Sequence, residues 1–578
     1  PLLEKLSEWW GGGADSGEVA ESQPFAAVED SAGALADSSS GDYYRVTGAS
    51  GEGYSATNAQ VEGIDEPDIV KTDGESLFIA RDRAVSIVAA RGAATAETAT
   101  LSIDADLRAW AEREGAPEGA AAYMGIADLV VSAGVLAVIA TPGAGAPSMS
   151  YSPEELDQYK QDSTEWDSRT VLLTYDVSNP ASPSLISALS QSGAYTTARL
   201  MDGAVYMVSS YSLPGGLTPV EDEPATYVPQ VGDADGCWPV APQDIAIMPE
   251  PSSPTYAVIT ATNLERGERL SDLSVLGGAE TVYMSKNNLY LAAVNWSGGG
   301  SATDIARVAL GSGELTIAAQ GSLDGQLLNQ FSLDEYEGHL RAVTTAAASG
   351  EWDEMAPVFS EARLTVLNGD LKAVGGIDAL AQNEDVRAVR FMGATGYVVT
   401  FEQTDPLFAV DLSDPKAPRV LSKLEIPGFS SYLHPWGDGQ LLGLGYAGDT
   451  SGLTGGLKLS MFDVSAADDV AEVAAKGIDV YDAEALRNHH AIWADPALGL
   501  VGFYAGDGPG NASYLVYRYG DGGFQEAAAL AVMGAPEVGW WYEGVRGVRV
   551  GTNLYVCSQG GVAVYALDGF EPVAELHF

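Results

Sequence analysis

Short apolar runs closed by Gly, Asp, Asn or Pro follow one another along most of this chain, and the clearest copy of the pattern lies between Asp385 and Val464. There the run 386–391 is followed by Gly393 and Gly396, a Tyr-Val-Val run at 397–399, the run 407–412, a Ser-Asp-Pro turn and the run 420–426. The spacing predicts four short strands joined by tight turns. A second copy starts at once with 430–433, a Gly-Asp-Gly turn at 437–439, 441–444 and 457–464. Four-strand units repeated in this way predict a single all-β propeller, because each small sheet must bury its faces against its neighbours and a closed ring does so without long exposed edges.

The same template places first strands near Asp68, Tyr123, Thr196, Thr281, Asn329, Val386, Ser430, His489 and Val545. That predicts eight or nine four-stranded blades, eight if one unit is divided between the two ends to close the ring. Three third strands end alike, in LLTYDVSNP, LFAVDLSDP and LSMFDVSAA, where Asp and Ser are expected to bond the local backbone and open a turn. Short helical insertions are expected at 104–115 and at 152–166, the latter with Ser152 as N-cap and Pro153 in the first turn. Residues 211–254 are Pro-rich and read as a long excursion between strands, where binding specificity is expected. Residues 1–50 open with PLLEKLSEWW, one amphipathic helical turn, and continue as a Gly/Ser/Ala/acidic stretch too poor in apolar residues to pack. The predicted organisation is therefore a flexible tether over 1–50 and one propeller domain over 51–578.

Charge narrows the partners. With 29 basic against 80 acidic residues the net charge is −51, which argues against nucleic acid and against an anionic membrane face, since both need Lys and Arg to bind. No apolar run is long enough to span a bilayer, so direct membrane insertion is not expected from these residues. The two cysteines, Cys237 and Cys557, make neither a disulfide framework nor a zinc site; whether they pair depends on where their repeats meet.

The segments YSATNAQVEGIDEPDIVKTDGESLF, NQFSLDEYEGHLRAVTT, VRFMGATGYVVTFEQTDPLFAVDLSDPKAPRV and NHHAIWADPALGLVGFY resemble bacterial and archaeal secreted proteins with a C-terminal β-propeller domain distantly related to WD repeats. The resemblance runs from about Tyr54 to the C-terminus. It implies the propeller fold and an extracytoplasmic setting, secreted or membrane-tethered through an N-terminal segment. It transfers no reaction, ligand or catalytic residue.

Four groups of residues carry candidate chemistry. Glu62, Asp65, Glu66, Asp68 and Asp73 crowd five carboxylates around Lys71, and an oxygen-rich cluster of this kind would take Ca²⁺; the alternative is that Lys71 and backbone N–H groups satisfy them and fix where the chain enters the ring. GDADG at 232–236 resembles half of a Ca²⁺ loop but lacks the downstream Glu, so it also reads as an acidic turn. His434, His489 and His490 fall near first strands, which line the channel of a propeller, and could share a metal or a ligand; on a strand only one of the adjacent pair would face the channel. Trp436, Trp493, Trp540, Trp541 and Tyr542 could stack on a sugar or anchor a peptide, or simply pack between blades.

Walker, dinucleotide, H-E-x-x-H and G-x-S-x-G signatures are all missing from the sequence. The reading is a binding or scaffold module at the cell envelope, its partner a protein or carbohydrate. The alternative is a polysaccharide- or peptide-acting hydrolase or lyase that uses channel carboxylates, with or without Ca²⁺.

Overall fold

A computed structural model describes residues 53–578 outside the stretches 117–118, 145–167, 214–218, 250, 252, 297–300, 348–359, 402–404, 438, 450–451, 509–510 and 535–543, together with Leu2 and Leu6. It contains nine sheets in chain order, one per blade and antiparallel but for one strand added to the third, over 70–102, 124–192, 194–276, 281–324, 326–382, 385–426, 429–478, 482–530 and 546–577. The nine expected first strands each open one of these blades. The insertion expected at 152–166 lies outside the described residues, whereas the one at 104–115 is a helix, Asp104–Glu114, stopped by Gly115 in the left-handed region. Leu2 and Leu6 are helical, and Leu6 is buried in one apolar cluster with Tyr211 of the third blade and Tyr227 of the excursion after it.

Burial explains the composition of each strand. Second strands such as Ser76–Arg81 and Leu500–Gly506 are almost wholly buried, because neighbouring blades cover both their faces. Outer strands such as Ala96–Ser102 and Ala471–Ile478 alternate exposed and half-buried positions, since only one face meets another blade. The repeated third-strand endings are Asx turns: Asp176, Asp411 and Asp463 each accept from the backbone N–H of the serine two residues on, at 2.9, 2.9 and 3.0 Å.

The Pro-rich excursion after Ser212 does not form a free binding loop along the part described. Gln230–Asp233 and Gly236–Pro239 add two strands to the outer edge of the second blade, and Ile245–Ile247 pairs in parallel with the outer strand of the third. It covers backbone that would otherwise be an open sheet edge. GDADG is the turn of that hairpin, with Asp233 accepting from the Asp235 N–H at 2.8 Å. Cys237 sits in the same hairpin and Cys557 is buried in the ninth blade, and the two are not joined in a disulfide.

Among the described residues blade one is built from 70–102 and blade nine from 546–577, with no strand exchanged between them. The segment 53–68 does the joining. Tyr54 bridges Val550, and the Ser55 N–H donates to the Arg549 carbonyl, in blade nine. Asn58 Nδ2 donates to the Tyr432 hydroxyl of blade seven and the His489 carbonyl of blade eight, both at 2.8 Å. Gln60 Nε2 donates to the carbonyls of Gln330 and Leu333 in blade five, while its own carbonyl accepts from Arg390 of blade six. Ile64 packs with Met284 and Leu289 of blade four, Asp65 bridges Leu200 of blade three and Asp68 bridges Leu129 of blade two. The chain then enters blade one at Val70. This strap visits every blade in turn around the channel.

Replacing Asn58 with Ala should therefore destabilise the fold by about 1–3 kcal/mol, because it removes the donor to the buried Tyr432 hydroxyl and to the His489 carbonyl. The exposed Glu62, four residues away, should tolerate Ala within about 0.5 kcal/mol. Chemical denaturation of the two variants checks the contrast.

Candidate channel site

Channel chemistry comes from the strap and from the inner strands it touches. The five clustered carboxylates are dispersed by the fold. Glu62 and Asp73 are exposed, and Asp73 accepts from the backbone N–H groups of Glu75 and Ser76 at 2.9 and 2.7 Å, closing a turn. Asp65 pairs with buried Lys71, whose Nζ also donates to Thr57 Oγ1 at 2.6 Å and the Glu66 carbonyl at 2.9 Å. Asp68 accepts from Arg546 Nε at 2.9 Å, and the rest of that guanidinium spans both oxygens of Glu484 at 3.0 Å. These five carboxylates do not converge on one Ca²⁺ position; Lys71, Arg546 and backbone N–H groups occupy Asp65, Asp68 and Asp73. Burial alone would favour neutral Arg546, but Asp68 and then Glu484 outweigh it and hold the guanidinium charged.

Glu66 is different. Its Oε1 accepts from the Gln60 N–H at 2.8 Å, and its Oε2 faces His489 Nε2 at 3.0 Å and His490 Nε2 at 3.2 Å. Arg199 Nη2 lies 3.6 Å from Oε2. Burial opposes ionisation of Glu66, yet Arg199, His489 and His490 together hold its carboxyl well below the usual range. The two adjacent histidines converge because they are not on a strand: His489–Ala491 is a short 3-10 turn, capped by Asn488 whose side chain accepts from the His490 N–H. A turn of three residues does not alternate faces as a strand does. The Phe331 ring stands edge-on to His489 at 5.0 Å, so His489 is wedged in place.

Beside this group is a cavity of about 260 Å³, lined by strap residues Ser55–Asn58, Asp65 and Asp68, by Lys71, and by His434, His490, Trp493 and Arg546. One water needs only roughly 10–15 Å³ of such space, so the cavity is large enough for a small molecule. His434 is buried; its Nδ1 lies 3.1 Å from the Tyr432 hydroxyl, and its Nε2 has no hydrogen-bond partner among the described residues. Trp493 is likewise buried with Nε1 unsatisfied. Trp436 is instead packed edge-on against Tyr519, a contact between blades. Trp540, Trp541 and Tyr542 lie outside the described residues.

Sequence reasoning overlooked the basic half of the site. Arg199, Arg390 and Arg546 all stand on innermost strands, Ala194–Met201, Asp385–Met392 and Arg546–Val550, and all are buried. Cations on otherwise apolar inner strands of so acidic a chain are the signal that could have found them. It also overlooked Asp128, whose carboxyl is raised to about 6 by burial and by Asp68 nearby.

A nine-bladed propeller whose channel is closed by its own N-terminal strap is the class of protein that fold and site define. The model of the beta propeller domain family matches residues 54–570, and the chain belongs to that family. An uncharacterized protein of Methanocaldococcus jannaschii is 26% identical over 533 residues, covering 76% of this chain and 72% of its own. An uncharacterized protein of Archaeoglobus fulgidus is 36% identical over 274 residues, 47% of this chain, and this chain spans only 38% of that relative's length. Among solved structures, BamB from Moraxella catarrhalis aligns with TM-score 0.32 at 13% identity over 58% of this chain and 89% of its own. A putative 6-phosphogluconolactonase from Bacteroides uniformis aligns with TM-score 0.33 at 12% identity over 55% of this chain and 90% of its own. Likenesses at this level carry no functional weight.

The buried histidines set a pH dependence. Burial pushes His434 down to about 3 and, with His490, pushes His489 down to about 4, from an ordinary value of 6.5. Each depressed base contributes stability that is present above pH ~6.5 and is lost as pH falls toward its folded value. Asp128, raised from 3.8 to about 6, acts oppositely, its contribution being present below 3.8 and lost as pH rises through 6. Two histidines against one carboxyl leave a net loss on acidification. The melting temperature should drop between pH 6.5 and 4.5, and His434→Phe should flatten that slope while leaving the remainder due to His489.

Proposed function

We propose that this propeller is a binding module acting outside the cytoplasm, and that its channel cavity takes a small, uncharged, hydroxyl-rich ligand such as a carbohydrate unit. The observation that carries the reading is the buried, unpartnered Nε2 of His434 on the cavity wall. A buried polar atom without a protein partner costs free energy unless another molecule bonds it, and a ligand hydroxyl could do so. The class of ligand follows from charge. The lining carboxylates Asp65 and Asp68 are already matched by Lys71 and Arg546, so neither a cation nor an anion would find a free counter-charge among these pairs. Neutral donors and acceptors remain, including Trp493 Nε1, beside the apolar side chains of Val70, Val131, Ile492 and Val548. That mixture of a few polar anchors on an apolar wall is the usual composition of a small-molecule site.

A hydrolase reading has one observation in its favour. Asp128, with a carboxyl raised to about 6 near Asp68, is poised as a general acid close to neutral pH. It stands outside the cavity lining, which favours binding over cleavage.

Thermal unfolding against a panel of neutral saccharides, amino acids and small dianions tests the proposal. A saccharide at a hundredfold excess over its Kd should stabilise the protein by about 2.7 kcal/mol, and His434→Phe or Trp493→Phe should abolish the effect. Stabilisation by charged members alone, or by none, would sink it. Release of reducing ends that Asp128→Asn stops would move the assignment to the hydrolase.

The extracytoplasmic setting is supported by the resemblance to secreted propellers. Fractionation of the native host with an antibody to this domain should place it outside the cytoplasmic membrane or bound to its outer face. Recovery in the cytosolic fraction would overturn that part.

A further inference from the structure

We propose that Glu66, His489 and His490 form a binding site for a divalent transition-metal ion of the Zn²⁺ type, at the point where the strap meets blade eight. The three offer one carboxylate oxygen and two imidazole nitrogens, all within 4.8 Å of one another. The contacts of Glu66 Oε2 with His489 Nε2 and His490 Nε2, 3.0 and 3.2 Å, are a few tenths of an ångström under the separation of about 3.4 Å between neighbouring tetrahedral ligands when metal–nitrogen and metal–oxygen bonds are about 2.0–2.2 Å, so a small outward shift of the side chains would seat the ion. Two imidazoles and one carboxylate suit zinc, iron or manganese, not calcium, which prefers six to eight oxygens.

The set is held in advance of any ion. The Asn488 side chain fixes the turn that carries both histidines, the His489 carbonyl accepts from Asn58, and Phe331 walls the His489 ring. Glu66 is aimed by the Gln60 N–H on Oε1 at 2.8 Å and by the longer contacts of Gln330 Nε2 with Oε1 and Oε2 at 3.4 and 3.3 Å, and an ion at Oε2 would displace the weak second contact of Gln330. Such outer contacts orient ligands and tune affinity. An ion here exchanges the two N–H donors for two nitrogen lone pairs, the imidazole protons moving to Nδ1, so no net charge has to leave.

The surrounding charges set the strength. Arg199, 3.6 Å from Oε2, opposes a dication, while Asp68, whose Oδ1 is 4.0 Å from His490 Nδ1, favours one and can face the proton that metal binding places there. Arg199 is itself bonded to Gln330 Oε1 at 2.6 Å and to the Ala198 carbonyl at 2.7 Å, so its charge is partly spread onto neutral acceptors. The proposal does not depend on the cavity ligand, since Glu66 and His489 lie outside that lining.

The test is titration of the chelator-treated full chain with Zn²⁺, Co²⁺ and Ca²⁺ separately, by calorimetry and by visible absorption for Co²⁺. One equivalent of Zn²⁺ should bind, Co²⁺ should give d–d bands shifted from the aqueous ion, and Ca²⁺ should not compete. His490→Ala and the shape-conserving Glu66→Gln should each weaken Zn²⁺ by about tenfold or more, whereas Glu62→Gln, on the exposed part of the same strap, should not. Folding of every variant is checked by circular dichroism, and Glu66→Gln keeps the test usable if His490→Ala unfolds. Absence of Zn²⁺ binding to the native chain, equal binding by folded Glu66→Gln, or preference for Ca²⁺ would overturn the site and leave the three groups as a hydrogen-bonded clasp.

Discussion

The ring depends on one short segment, 53–68, seated in its own channel. Nine blades packed only side by side would rely on the contact between blade one and blade nine to resist opening. Here that contact is a modest apolar seam, Val70, Leu77 and Ile79 against Val548, Tyr555 and Val564, with Arg81 stacked over the Phe578 ring at 5.0 Å. By bonding to or packing against each blade in turn, the strap makes loosening of any blade cost contacts at the axis. A polar strap suits this task because inner strands present carbonyls and N–H groups toward the channel, and these need partners once water is excluded.

Buried charge follows from the same arrangement. Bringing Asp65, Glu66 and Asp68 into a narrow channel costs desolvation that only close partners offset. Lys71, Arg199 and Arg546 supply them from different blades, so each pair also fixes a register: Asp68 with Arg546 ties the start of blade one to blade nine, and Glu66 with Arg199 ties the strap to blade three. Apolar contacts would not discriminate among these seats so sharply, as one leucine fits many positions about equally. The arrangement leaves two residues of the cavity lining beside the strap, His434 and Trp493, each with a buried nitrogen that has no protein partner among the described residues.

Outside the channel, the insertions maintain the sheet scaffold. The excursion through 230–247 continues two sheets at their edges, and helix Asp104–Glu114 buries Leu107 and Trp110 between the first two blades. Loop length alone suggested a binding surface there; hydrogen bonding to blade edges is what the described part does.

The sequence by itself determined the repeat. Apolar runs closed by Gly, Asp and Pro dictate strand and turn locally, and since those preferences act over a few residues, all nine first strands and the Asp176, Asp411 and Asp463 turns were legible without a structure. The strap's carboxylates were legible as a group in need of cations, with Lys71 close by in the chain. Their other partners were not, because Glu66 meets His489 across 423 residues and Asp68 meets Arg546 across 478, distances over which no local pattern carries information. Nor could strand periodicity anticipate that His489 and His490 converge, since a 3-10 turn interrupts the alternation. Only closure of the ring decided which charges are neighbours, which histidine nitrogen is buried without a protein partner, and that a cavity forms beside the strap.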